Sequence, residues 1–77
     1  MDKELTYGEE LVGLTFNPAG DELVTDIKRS YAAIIDKLDA RRSTTENGEV
    51  KRLCSIAITE AQTAQMWAVK AITWRTK

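Results

Sequence analysis

Ser43-Thr44-Thr45-Glu46-Asn47-Gly48 is a run of turn-forming residues between two long segments of helical periodicity, and its reading decides the fold. Upstream, Glu22 to Arg42 contains no Gly or Pro, and Val24, Ile27, Tyr31, Ile34 and Leu38 step by three or four into one stripe. Downstream, a second stripe runs through Val50, Leu53, Ala57, Glu60, Ala64, Trp67, Ala71 and Trp74. Helices joined by a short turn fold back antiparallel. A turn centred between Thr45 and Glu46 sets Leu38 against Leu53, Ile34 against Ala57, Ile27 against Ala64 and Val24 against Trp67. The expected architecture is an all-α antiparallel hairpin with helices over 21–42 and 49–76 and a turn over 43–48.

Residues 1–20 hold Gly8, Gly13, Pro18 and Gly20 and are expected to form an irregular or short extended arm, not a helix. Val12, Leu14 and Phe16 alternate with Gly13 and Thr15, as in extended chain with one side packed. Asn17-Pro18-Ala19-Gly20 reads as a turn, because Pro18 fixes its φ and Gly20 tolerates a positive one. Asp21 stands where a helix N-cap belongs, with Glu22 in the first turn.

Seventy-seven residues make one small domain, 1–77. A chain of this size buries only about 60% of its unfolded surface, so disulfides, a metal or partners usually help. Cys54 is the only cysteine and histidine is absent, which excludes an internal disulfide and a Cys/His zinc site. Association is the remedy left. Cys54, Ile58, Ala61, Ala68 and Ile72 form a second apolar face on the downstream helix, interrupted only by Gln65. A helix apolar on two sides is buried on two sides, so a homo-oligomer built through this face is expected.

Eleven basic and twelve acidic residues give a net charge of -1. This lacks the basic excess of a protein that coats nucleic acid, though a small anion held locally is compatible with it. Asp2, Glu4, Glu9 and Glu10 speak against a signal peptide. Glu60, Gln62, Thr63, Gln65 and Lys70 make Leu53 to Trp74 costly in hydrocarbon, so a cytoplasmic protein without a membrane partner is expected.

Catalytic chemistry is poorly supplied. Without histidine there is no ordinary base for a Ser, Cys or Thr nucleophile, and Cys54 on an apolar face reads as a small buried residue. The carboxylates form no paired motif, no phosphate-loop glycine pattern occurs, and no cofactor or metal is implied. Glu60 faces Tyr31 in the expected register, as the acceptor of a phenol hydrogen bond or, alternatively, as a base in a cleft. Phe16 beside Asn17-Pro18 either plugs the hairpin core or offers a stacking platform at a pocket rim. Lys28 and Arg29 are solvated cations or reach a phosphate next to Phe16. Arg41, Arg42, Lys51 and Arg52 read as a solvated tip, and Trp67 and Trp74 as core and interface.

Leu14 to Asp21, the following helix through Ile35-Asp36, and Ile56-Ala57-Ile58-Thr59-Glu60-Ala61-Gln62-Thr63-Ala64-Gln65-Met66-Trp67-Ala68-Val69-Lys70-Ala71 together resemble phage anti-CBASS/anti-Thoeris hairpin proteins. The resemblance spans Leu14 to Arg75 and implies a non-catalytic sponge. Such proteins bind cyclic oligonucleotide messengers (dinucleotides, in some members trinucleotides or cyclic ADP-ribose-type signals) in the cytoplasm of infected bacteria. They assemble as homohexamers with dinucleotide pockets between protomers. The family's phosphate-contacting lysine matches Lys28 within Leu23-Val24-Thr25-Asp26-Ile27-Lys28. Its base-stacking tyrosine matches Phe16, with Tyr7 as the alternative. The implied ligand-binding residues are thus Phe16, Asn17, Lys28 and Arg29. The family's arginine for trinucleotides has no counterpart near Ile58 or Thr59, and Thr59, Thr63 and Met66 form the fallback second site. Two other classes stay open: an oligomeric hairpin adaptor that binds a host protein, and a cyclic-nucleotide hydrolase, which the missing histidine and metal ligands disfavour.

Overall fold

The computed structural model describes residues 4–75 and is helical, with no strand among them. Three helices follow in order: α1 (Tyr7–Leu11), α2 (Glu22–Thr44) and α3 (Gly48–Thr73). The two long helices are the expected hairpin. Asp21 caps α2 by accepting from the amides of Leu23 and Val24 at 2.8 and 3.4 Å. Asn47 does the same for α3, with Glu49 and Val50 at 2.9 and 3.1 Å. The connection shrinks to 45–47 because α2 runs on to Thr44 and α3 starts at Gly48. The expected helix end at 76 is not reached: α3 stops at Thr73, and Thr76 lies outside the described residues, as does the start of the arm, 1–3.

The arm departs from expectation. Thr6 and Glu9 form a capping box, in which the Glu9 amide donates to Thr6 Oγ1 at 3.1 Å and the Thr6 amide to Glu9 Oε1 at 2.9 Å. This starts a helix where irregular chain was expected. Gly13, at φ 64°, ends it, with Gly13 donating to the Glu10 carbonyl and Leu14 to that of Glu9, the paired closure of a helix on a left-handed glycine. Val12 to Phe16 is therefore a turn, not extended chain, although Val12 and Leu14 pack inward. Asn17 to Gly20 is the turn foreseen, closed by a 2.9 Å bond from the Gly20 amide to the Asn17 carbonyl with Gly20 at φ 67°.

Gly8 lets α1 lie on α2. A Cβ there would collide with the Ala32 carbonyl oxygen, and the Gly8 amide instead donates to Asp36 Oδ1 at 2.7 Å. The core beneath consists of Val12, Ala32, Ile35 and Ile58, with Leu11, Leu14, Tyr31, Leu38 and Ala61 packed around it.

The rotation of α3 about its axis corrects the expected register. Cys54, Ile58 and Gln65 are buried and Ala61 packs on the core, whereas Leu53, Glu60, Trp67 and Trp74 are exposed. The face assigned to an oligomer is thus the one turned into the hairpin. Small side chains such as Cys54 and Ala61 allow close helix approach, which the bulky Trp67 stripe does not. On α2 the buried set is Val24, Lys28, Ala32 and Ile35, and Ile34 of the expected stripe is exposed. Tyr31 packs on the core but makes no hydrogen bond to Glu60 among the described residues, so that pairing is also corrected. Trp67 and Trp74, about two-thirds exposed, are not core.

Candidate functional site

Lys28 lies on the inner face of α2 and is only 5% exposed, an unusual place for a charge. Its stem crosses beneath the α1–α2 connection. Nζ then donates to the Gly13 carbonyl at 2.9 Å and the Phe16 carbonyl at 2.6 Å. These are the two ends of one tight turn, since the Phe16 amide also donates to Gly13. An ammonium has three donors, so one N–H is left. No carboxylate pairs with it among the described residues: its partners are dipoles, and its charge is solvated but not neutralised.

Phe16 stands directly above. Phe16 is 73% exposed as a residue, and Nζ of Lys28 lies 5.7 Å from its ring centroid, within cation–π range. Phe16 does not plug the core. It borders an open cavity of about 270 Å³ whose walls include Asn17, Pro18, Val24, Lys28, Val69 and Thr73. Asn17 belongs to the wall but spends its amide locally: Nδ2 donates to the Asp21 carbonyl and Thr25 Oγ1 at 2.8 and 2.9 Å, and Oδ1 accepts from the Asp21 amide at 3.2 Å. It fixes the rim. Arg29 is exposed and does not line this cavity.

A larger groove of about 400 Å³ adjoins it at Lys28 and Val69. Glu10, Leu11, Val12 and Gly13 wall it from the arm, and Gln62, Gln65 and Met66 from α3. The structure does not gather Thr59, Thr63 and Met66 into one site. Met66 lines this groove, Thr59 lines a separate shallow one with Ser55, Ile56 and Glu60, and Thr63 Oγ1 donates to the Thr59 carbonyl.

Tyr7, the alternative stacking residue, meets a different cation. Arg42 lies 5.8 Å from its ring centroid and donates to Asp39 Oδ1 at 2.8 Å, Ser55 Oγ at 3.0 Å and Tyr7 Oη at 3.5 Å. Arg42 is thus no solvated tip residue but a tie between all three helices, and the Asp39 bond raises its pKa. Arg52 keeps the expected solvated role, paired with Glu49 at 2.7 Å.

Reasoning from the sequence missed the contributions of Gln62, Gln65, Val69 and Thr73. Gln65 had a visible signal as the one polar residue on an apolar face. The described residues bring no group of three or more Cys, Asp or Glu together to hold a metal ion. No described helix is long and apolar enough to cross a membrane.

No curated protein and no solved structure matches the chain. The family model described as the Acb2/Tad1 hairpin domain matches residues 9–73, from the C-terminal half of α1 to the last residue of α3. With the match covering both long helices and the connection that carries Phe16, the chain belongs to the Acb2/Tad1 hairpin family of anti-CBASS and anti-Thoeris proteins.

Proposed function

We propose that this protein binds and sequesters cyclic oligonucleotide second messengers without cleaving them, and so blunts bacterial anti-phage immunity. The observation that carries the reading is the Lys28 ammonium, held by two carbonyls and unneutralised, beneath the exposed Phe16 ring at the edge of a cavity. A base stacks on the ring while a phosphate oxygen takes the remaining N–H. Phe16, Asn17 and Lys28 form the site, with Asn17 holding the rim and Arg29 attracting the anion from outside. The protein acts in the host cytoplasm as a homo-oligomer, six copies if it follows the resemblance. Self-association uses the exposed face of α3, Leu53, Ile56, Trp67 and Trp74, in place of the buried one first expected.

The test is to incubate the protein with a cyclic dinucleotide, filter, and then denature the retained fraction. Depletion of free ligand with intact recovery fits a sponge. Destruction of the ligand means hydrolysis, and ligand left in solution refutes binding. Light scattering on the same sample gives the mass, which exceeds 8.6 kDa several-fold for an oligomer.

A second reading, an adaptor for a host protein, is favoured by one observation. Lys70 lies 5.6 and 5.8 Å from the rings of Trp67 and Trp74, an exposed aromatic–cation ladder of the kind that anchors protein interfaces. An oligomer that leaves the nucleotide free would select it.

A further inference from the structure

The bond from the Gly8 amide to Asp36 Oδ1, 2.7 Å long and part-buried, joins residues 28 positions apart in sequence. Asp36 is half-buried and forms no ion pair among the described residues, so its carboxylate is committed to the arm. It lines neither the Phe16 cavity nor the groove beside it. From this clasp a continuous run of backbone hydrogen bonds leads to the site. The Gly8 carbonyl accepts from the Val12 amide at 3.1 Å, Gly13 closes α1, and the Phe16 amide donates to the Gly13 carbonyl at 2.9 Å. The run ends on Lys28, which donates to the carbonyls of Gly13 and Phe16. Between the two ends Val12 is buried against Ala32, Ile35 and Ile58. Residues 8–16 thus form a strap fastened to α2 at Asp36 and Lys28, about 12 Å apart along the helix axis at 1.5 Å per residue.

A helix as short as α1 does not hold its shape alone, so the strap keeps its form only where it is fastened. The further contact of Arg42 with Tyr7 Oη is long, at 3.5 Å. Released at Asp36, the strap pivots on Lys28 and the Gly13–Phe16 turn moves with it. We infer that Asp36 is a positioning residue for the ligand site: by holding Gly8 it sets the place of that turn, and through it of the Phe16 ring and Lys28 Nζ, without touching the ligand. Affinity then falls with the fraction of molecules whose arm is docked. This inference rests on the proposed binding of cyclic dinucleotides at Phe16 and Lys28.

The test combines titration calorimetry, with cyclic di-AMP and cyclic di-GMP, and amide hydrogen exchange on the full chain. Wild type is compared with Asp36→Ala, Asp36→Asn and Gly8→Ala. Asparagine keeps an oxygen acceptor and drops the charge, whereas the Cβ of Gly8→Ala collides with the Ala32 carbonyl and wedges the arm off α2. Circular dichroism verifies α2 and α3 in each. In Asp36→Ala the amides of Val12, Gly13, Leu14 and Phe16 should exchange about tenfold to a hundredfold faster, the worth of one hydrogen bond to a charged group, while those in the middle of α2 and α3 keep their rates. Binding of the tighter ligand should weaken at least threefold in Asp36→Ala, and further in Gly8→Ala, and recover most of its strength in Asp36→Asn. If Asp36→Ala binds as wild type does, the inference is overturned and the sponge reading stands. Exchange that rises evenly over all three helices, or an Asp36→Asn that binds as weakly as Asp36→Ala, also overturns it. Failure of wild type to bind either ligand overturns the sponge reading and this one with it.

Discussion

Two aromatic–cation pairs sit on α2, Phe16 with Lys28 near its start and Tyr7 with Arg42 near its end, with nearly equal cation-to-ring separations of 5.7 and 5.8 Å. Their surroundings differ. Arg42 has a carboxylate, Asp39, at 2.8 Å, and a hydroxyl on each of two other helices. Its charge is cancelled and its donors join helix to helix. Lys28 has only backbone carbonyls, so its charge persists beside an open cavity. Pair geometry alone thus does not mark a binding site; what the cation is bonded to separates an anion receptor from a structural tie.

Lys28→Glu strikes this comparison hardest. It buries a carboxylate against two carbonyl oxygens, and the loss, read from urea denaturation, should be about 3–5 kcal/mol, as for other uncompensated buried charges. Lys28→Met keeps the apolar stem and removes the ammonium, its charge and its N–H donors together. It should abolish nucleotide binding at a stability cost of about 1–3 kcal/mol for the unmade carbonyl bonds. Binding retained in Lys28→Met would erase the distinction between the two pairs.

Phe16→Ala should act on binding alone. The residue is mostly exposed, so thermal stability should stay within about 0.5 kcal/mol of wild type. Calorimetry should record a loss of about 1–3 kcal/mol for the missing base stack. Arg42→Ala should show the converse, a small fall in Tm with nucleotide affinity unchanged. A fall in affinity would give the Tyr7 end a part in the site.

The smallest effect concerns the exposed Glu49–Arg52 pair by the hairpin turn. The Arg52 hydrogen bond holds the Glu49 carboxyl below its ordinary pKa. A carboxylate depressed in the folded state adds stability that is present above its unfolded pKa and lost as pH falls through the folded one. Glu49→Gln should remove that slice of acid sensitivity, seen as a slightly flatter Tm curve across the acid range.

The hairpin was legible because its signals are local. Asp21 and Asn47 cap the two helices, and the polar run between them admits one reading. The rotation of α3 was not legible, because the Leu53–Trp67 stripe and the Cys54–Ile58–Ala61 stripe are each largely apolar with one polar interruption, Glu60 in the first and Gln65 in the second. Periodicity identifies a helix without choosing between two such faces. Side-chain size chose, and size matters only once the distance between the helices is known. Helix α1 was missed although Thr6-x-x-Glu9 carries a capping-box signature, because Gly8 in its first turn argued the other way. That glycine serves the contact with Ala32, which is tertiary. At the site, Lys28 was found only as a cation near Phe16; its burial and its two carbonyl partners depend on where the arm turns.

The lashing of Lys28 to Gly13 and Phe16 also makes this amine a reporter. An acylating reagent needs a free, neutral amine, so Lys37, Lys51 and Lys70, which are exposed, should be modified quickly while Lys28 lags. Where the arm must lift for Lys28 to react, its labelling rate counts those openings, a local event with its own free energy below that of global unfolding. Peptide mass spectrometry over a labelling time course would thus clock the detachment of the N-terminal arm, with no ligand and no mutation required.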